Sequence, residues 1–205
     1  MPTGRTIGII DDDAALRDSL ALVLRFRDFD VVEFCSGEEL LASPSLSRLD
    51  CMILDLRMSG IGGLEVVETC RTRGITAPII VVTAFGSISS ATRALKSGAF
   101  DFLEKPVLED QMMRVLDDAL SSSDQAAAVR AERHHIEERL ATLSGRERQV
   151  LEAVLDGRHN REIAAALNLS VRTIEVYKAR VMEKMRVSRL AELIRLFARL
   201  EPAPH

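Results

Sequence analysis

The sequence predicts an α/β protein with a doubly wound, five-stranded parallel sheet, followed by a smaller all-α region of four helices. Three observations predict it. Short apolar runs alternate with segments of helical spacing over the first 120 residues, acidic residues follow the first and third of those runs, and no strand pattern remains from Ser144 onward.

The five runs lie at 6–10, 31–34, 51–54, 79–82 and 100–103, each short and rich in β-branched or aromatic residues. Between them, Leu16, Leu20, Val23 and Leu24, then Leu64, Val67 and Cys70, recur at helical spacing. A strand covered by helices on both faces is a continuous apolar run, as 79–82 is, and alternation of this kind requires parallel pairing. After Leu120 the text becomes small and polar, then rich in charge up to Arg139. Residues 1–120 therefore form one domain, 121–142 a linker and 143–205 a second domain. Val129, Ile136, Leu140 and Leu143 are spaced by seven, four and three, so the linker reads as a helix with an apolar stripe. That stripe either carries geometry between two copies of the chain or packs on its own domain.

A content of 47% hydrophobic and 28% charged residues excludes disordered and fibrous classes. No apolar stretch approaches the roughly 18 residues of a membrane span, which points to a cytoplasmic protein with no membrane partner. The odd three cysteines, Cys35, Cys51 and Cys70, lack paired spacing and suggest neither disulfides nor zinc. The net charge of −4 divides unevenly. From Leu143 onward 12 Lys+Arg oppose 8 Asp+Glu, giving +4, and the remainder carries −8. An acidic front and a basic tail suit cation binding and polyanion binding respectively.

Asp11 and Asp12 follow the first strand and Asp55 the third, and in a parallel sheet such ends are neighbours. Crowded carboxylates repel, and a hard divalent cation with oxygen ligands, Mg²⁺ above all, relieves the repulsion. Thr83 follows the fourth strand and Lys105-Pro106 the fifth, surrounding Asp55 with a hydroxyl and an ammonium group. Singly, an Asp after a strand caps the next helix and a Lys lies on the surface. Five such residues at four strand ends point instead to one site that handles a phosphoryl group.

These residues resemble those of the CheY-like receiver domains of two-component response regulators. The likeness runs from about Arg5 to Leu120, through Asp11, Asp12 and Asp13, then Asp55 to Met58, Thr83-Ala84 and Glu104-Lys105-Pro106. It implies that Asp55 takes a phosphoryl group from a sensor histidine kinase. Asp12, Asp55 and the Arg57 carbonyl would hold Mg²⁺, with Asp11 acting through water. Thr83 and Lys105 would bind phosphoryl oxygens, and Phe102 matches the aromatic switch position. Where the family commonly has Met-Pro this chain has Met58-Ser59, which predicts a less rigid loop. Asp13 is expected to cap a helix, and the ring of Phe85, two residues beyond Thr83, to hinder attacking water.

In the second domain Ser144 with Glu147 forms a capping-box pattern at a helix start. Asn168-Leu169-Ser170 is a short turn between two helical stretches, with Ser170 placed as the next N-cap, which is helix-turn-helix spacing. The segment is similar to LuxR-type domains, and 170–185 to the FixJ-type recognition helix, which identifies the chain as a member of the NarL/FixJ family. The resemblance implies that Glu175, Val176 and Ala179 face base edges. Arg172, Lys178, Arg180 and Lys184 would mainly serve phosphates, with Thr173 on the same helix. It further implies promoter DNA and RNA polymerase as partners, transcriptional activation, and a homodimer once phosphorylated. Ile88, Ala91, Leu95, Val107 and Met112 supply candidate apolar contacts for that dimer. Self-phosphorylation of this kind is not turnover of a foreign substrate, so the chain is not expected to be an enzyme. A metal-dependent phosphohydrolase is the rival reading, but Ala15 stands four residues after Asp11 where a haloacid dehalogenase-like enzyme needs Thr or Val. A receiver with a helical output that never touches DNA is the other.

Overall fold

The computed structural model describes residues 4–84 and 88–198, in two compact units that divide between Ala126 and Ala127. In the first unit, strands β1 (Thr6–Ile10), β2 (Asp30–Phe34), β3 (Cys51–Leu54), β4 (Ile79–Thr83) and β5 (Asp101–Glu104) form one sheet. Every pairing is parallel and the order is β2-β1-β3-β4-β5. The predicted fold class is borne out.

The apolar runs are continuous because alternate residues feed opposite cores. Ile10, Met52, Leu54, Ile79 and Val81 point into one cluster; Ile7, Ile9, Cys51, Ile53, Ile80 and Val82 point into the other. The first face is covered by α2 (Gly37–Ala42), α3 (Gly63–Thr72) and α4 (Ile88–Lys96). The second is covered by α1 (Ala14–Phe26) and the first three turns of α5 (Glu109–Ala141), through Ala21, Leu24, Met112, Leu116 and Leu120. Strand order reverses between β1 and β3, so a crevice opens at their carboxyl ends, where Asp11, Asp12 and Asp55 begin the loops.

Arg71 is a staple that no sequence pattern announces. Its guanidinium donates to the carbonyls of Ile75 at 2.6 Å, Ala77 at 3.0 Å and Gly98 at 2.9 Å, tying α3 to the start of β4 and the end of α4. Charge-assisted bonds of this kind are worth more than neutral ones, and their loss strands buried acceptors. Arg71→Ala is expected to cost about 2–3 kcal/mol of first-unit stability in urea unfolding followed by circular dichroism. The acidic loops at the carboxyl ends of the strands should be undisturbed.

The second unit contains α6 (Gly145–Leu155), α7 (Asn160–Leu167), α8 (Val171–Lys184) and α9 (Leu190–Ala198) around Val150, Leu151, Ile163, Ile174, Val181 and Met185. Residues 121–142 lie in α5 apart from Thr142. The apolar stripe of that segment splits by function: Ile136 and Leu140 pack into this unit's own core, while Val129 stays exposed. Of the two alternatives for the stripe, the structure therefore shows packing on its own domain for Ile136 and Leu140. Among the described residues no helix is long and apolar enough to cross a membrane.

Candidate functional site

Each acidic residue is delivered by the strand before it. β1 ends at Ile10, and the next two residues differ in setting: Asp11 is buried and Asp12 exposed. Asp55 follows β3, is buried, and takes its backbone bond to the Ile10 carbonyl at 2.9 Å, which locks the two loops side by side. Asp13 caps α1, accepting from the amides of Ala15 and Leu16, as its position suggested. One carboxylate oxygen from each of Asp11, Asp12 and Asp55 lies within 4.8 Å of the other two.

Lys105 closes the pocket from β5. Its Nζ is 2.7 Å from Asp11 Oδ2 and 3.3 Å from Asp55 Oδ2. Burial pulls the Lys105 pKa down, but the hydrogen bond to Asp11 and the charges of Asp55 and Asp11 outweigh it and hold it above its ordinary value. The ammonium is thus charged at neutral pH. The Lys105 amide donates to the Thr83 carbonyl at 2.9 Å, registering buried Thr83 beside it. One polar atom is left over: Asp55 Oδ1 is buried and has no hydrogen-bond partner among the described residues. A buried carboxylate oxygen without a partner is costly in isolation and suits a ligand or a reacting centre. Three clustered carboxylates and this open oxygen fit a hard divalent cation.

The loop 56–62 is held from outside. Ile61 N donates to Glu38 Oε1 at 2.7 Å, and Ser59 N donates to Asp12 Oδ2 at 2.9 Å. Gly63 opens α3 against the Asp55 backbone, where a Cβ would meet the Asp55 carbonyl oxygen at 2.3 Å. Sequence reasoning passed over Glu38, the Ser59 amide and Gly63. The Gly62-Gly63 pair was a readable sign of close approach, whereas an amide donor has no sequence signature. Arg57 lies exposed on this loop, and Phe102 is half-buried in β5, packed against the cluster that holds Val81. Phe85 and the side chain of Ile88 lie outside the described residues.

In the second unit α7 ends at Asn168 in the left-handed conformation with φ 55°, and Ser170 caps α8 by accepting from Thr173 N at 3.1 Å. Inward-facing Ile174 and Val181 fix the roll of α8. Arg172, Glu175, Val176, Ala179 and Arg180 then share one exposed face at i, i+3, i+4, i+7 and i+8. Thr173, Lys178 and Lys184 are only partly exposed. Two lysines expected to serve phosphates have partners inside the unit. Lys178 Nζ bonds Asn160 Oδ1 at 3.0 Å; Lys184 Nζ bonds Glu147 Oε2 at 2.6 Å and the Thr142 carbonyl at 3.0 Å.

Glu147 completes the capping box with Ser144 as the pattern predicted. The hydrogen bond from Lys184, then that from the Ser144 amide, hold the Glu147 carboxyl down to about 2. In the unfolded chain it titrates near ~4.3. A depressed carboxylate stabilises the fold above its unfolded pKa, and the benefit is lost as pH falls through the folded value. The second unit should therefore melt at falling temperature between about pH 5 and 2, and Glu147→Gln should flatten that dependence. The chain has one tyrosine and no tryptophan, and Tyr177 packs in this core, so its fluorescence reports this unit alone.

Comparison with known proteins covers both units. Residues 7–117 match the family described as response regulator receiver domain, and 141–197 match bacterial regulatory proteins of the luxR family. The chain is similar to the transcriptional regulatory protein FixJ of Bradyrhizobium diazoefficiens, 41% identical over 200 residues and 97% of each chain. It is also similar to the tetrathionate response regulatory protein TtrR of Salmonella typhimurium, 38% identical over 95% of this chain and 93% of the relative. Among solved structures, the response regulator StyR superposes with a TM-score of 0.83 at 31% identity, covering 96% of this chain and 99% of that one. Full-length FixJ from B. japonicum does so at 0.59 and 40% identity, covering 95% and 96%.

Proposed function

The chain belongs to the NarL/FixJ family of two-component response regulators and is a transcription regulator, and from the geometry of its pocket we propose that Asp55 is the phosphoacceptor that switches it. The observation that carries this reading is the buried, open Oδ1 of Asp55, on a carboxylate clustered with those of Asp11 and Asp12 and held 3.3 Å from Lys105 through its other oxygen.

Asp55 Oδ1 attacks phosphorus of a phosphohistidine on a partner kinase, a P–O bond forms as the P–N bond breaks, and an acyl phosphate results. Asp12, Asp55 and the Arg57 carbonyl would hold Mg²⁺, with Asp11 reaching it through water; bound there, the ion supplies neutralisation of charge on the phosphoryl oxygens. Lys105 stands 3.3 Å from Asp55 and is placed to follow the charge onto those oxygens, while Thr83 offers its hydroxyl. A cleft lined by Leu16, Leu20, Val23, Pro106 and Met112 opens beside Lys105, which suits docking of a kinase helix. The exposed α8 face carries promoter recognition, with Arg172 and Arg180 on phosphates and Glu175, Val176 and Ala179 at base edges. Lys178 and Lys184 reach DNA only by leaving Asn160 and Glu147. The protein acts in the cytoplasm, where promoter DNA and RNA polymerase are found, and does not turn over a foreign substrate.

The test is incubation with acetyl phosphate and Mg²⁺, followed by intact-protein mass and by binding to promoter duplexes over a range of salt. Uptake of one phosphoryl group and affinity that falls as salt rises support the reading. Absence of uptake, or binding indifferent to salt, overturns it.

A further inference from the structure

We infer that the backbone amide of Ser59 is a positioning group for the metal site, holding Asp12 and the loop that carries Arg57 in binding geometry before any cation arrives. This rests on the Mg²⁺ reading of the pocket given above.

Asp12 is the exposed member of the acidic cluster, so neither packing nor a lysine restrains its carboxylate, in contrast to Asp11 on Lys105. Its restraint is the Ser59 N–H, at 2.9 Å from Oδ2. Asp12 begins the loop after β1 and Ser59 belongs to the loop after β3, two residues beyond Arg57. One hydrogen bond therefore spans the gap between two of the proposed ligands. Repulsion among three carboxylates pushes Asp12 outward, and this bond opposes the push.

The bond either competes with a cation for Asp12 or prepares Asp12 for it. The geometry favours preparation. With the amide bond in place, Asp12 already keeps an oxygen within 4.8 Å of oxygens on Asp11 and Asp55. A carboxylate has about four acceptor positions, so one N–H leaves the others for a metal, as is usual for ligating carboxylates held by outer partners. Neighbouring restraints act the same way: Gly60 turns the chain at φ 82°, and Ile61 N is held by Glu38 at 2.7 Å. The role belongs to the amide and not the side chain, so it requires a residue with an N–H. Proline, which the family commonly carries at this position, would remove it, so the restraint is a device of this chain in particular.

The experiment measures Mg²⁺ affinity of the full chain by titration calorimetry. Ser59→Ala keeps the amide and should bind within twofold of wild type. Replacing residue 59 of that variant by lactic acid converts the one amide into an ester with the same methyl side chain. It should weaken Mg²⁺ by about 10-fold at unchanged melting temperature, the lower end of the roughly 10- to 100-fold losses seen when an outer partner of a metal ligand is removed. Ser59→Pro should lose affinity in the same direction. Ester or proline chains that bind as wild type, or more tightly, overturn the positioning role while leaving the pocket's metal reading intact. A wild type that binds no Mg²⁺ overturns both.

Discussion

Asp55→Asn is expected to take up no phosphoryl group from acetyl phosphate under conditions in which the wild type should take up one. The substitution keeps size and planarity, and an amide oxygen can still face Lys105, 3.3 Å away in the wild type. What it removes is the anionic oxygen proposed to form the bond to phosphorus, so the loss should be on the order of 10⁴-fold or more, as when a nucleophile is deleted. The neighbouring substitutions separate chemistry from its readout. Lys105→Ala removes the counter-charge shared by Asp11 and Asp55 and should slow uptake without abolishing it. Thr83→Ala leaves the nucleophile untouched, so it should take up phosphoryl yet gain less DNA affinity in response. Intact-protein mass gives uptake, and fluorescence anisotropy on a labelled duplex gives affinity. Equal labelling of wild type and Asp55→Asn removes Asp55 from the centre of the switch.

How much of this was readable in the sequence depends on which groups make each contact. β4 and its apolar run announce a strand buried on both faces, and each of its residues from Ile79 to Val82 is buried accordingly. Asp11, Asp12 and Asp55 are legible because side-chain chemistry at strand ends is both local and unusual, and the sheet brings them together. The Ser59 amide and the three carbonyls gripped by Arg71 are not, because backbone groups carry no letter. Charge on a helix is less legible. The resemblance implies phosphate contacts for Lys178 and Lys184, while a long stem lets each ammonium turn back to a partner within the fold. Arg172 and Arg180, at the exposed face, have no such alternative among the hydrogen bonds found.

Beryllofluoride, a phosphoryl mimic, is expected to convert the chain into a dimer and to raise its affinity for an inverted-repeat duplex far more than for a single half-site. The proposed switch residue Thr83 ends β4, in which the preceding Val81 and Val82 pair with Phe102 and Leu103 of β5. Phe102 is half-buried, so it has room to change its packing when Thr83 turns toward a phosphoryl oxygen. Of the contacts foreseen on this face, Met112 is core and unavailable, whereas Leu95 is 46% exposed and Ala91 and Val107 are intermediate. Leu108, 71% exposed at the start of α5, adds apolar surface that the sequence reading overlooked. Two copies joined here present two α8 helices, and the second half-site is then bound at an effective concentration in the millimolar range. Against half-site dissociation constants near ~10 μM, that yields a gain of about 10²-fold on the paired site and none on the single one. Leu95→Glu should leave phosphoryl uptake intact while lowering that gain about tenfold, since two like charges would then meet across the twofold axis. Light scattering fixes the oligomeric state and anisotropy the two affinities. An activated chain that remains monomeric yet gains affinity for a single half-site rules dimerisation out and points to release of a DNA face covered in the resting state.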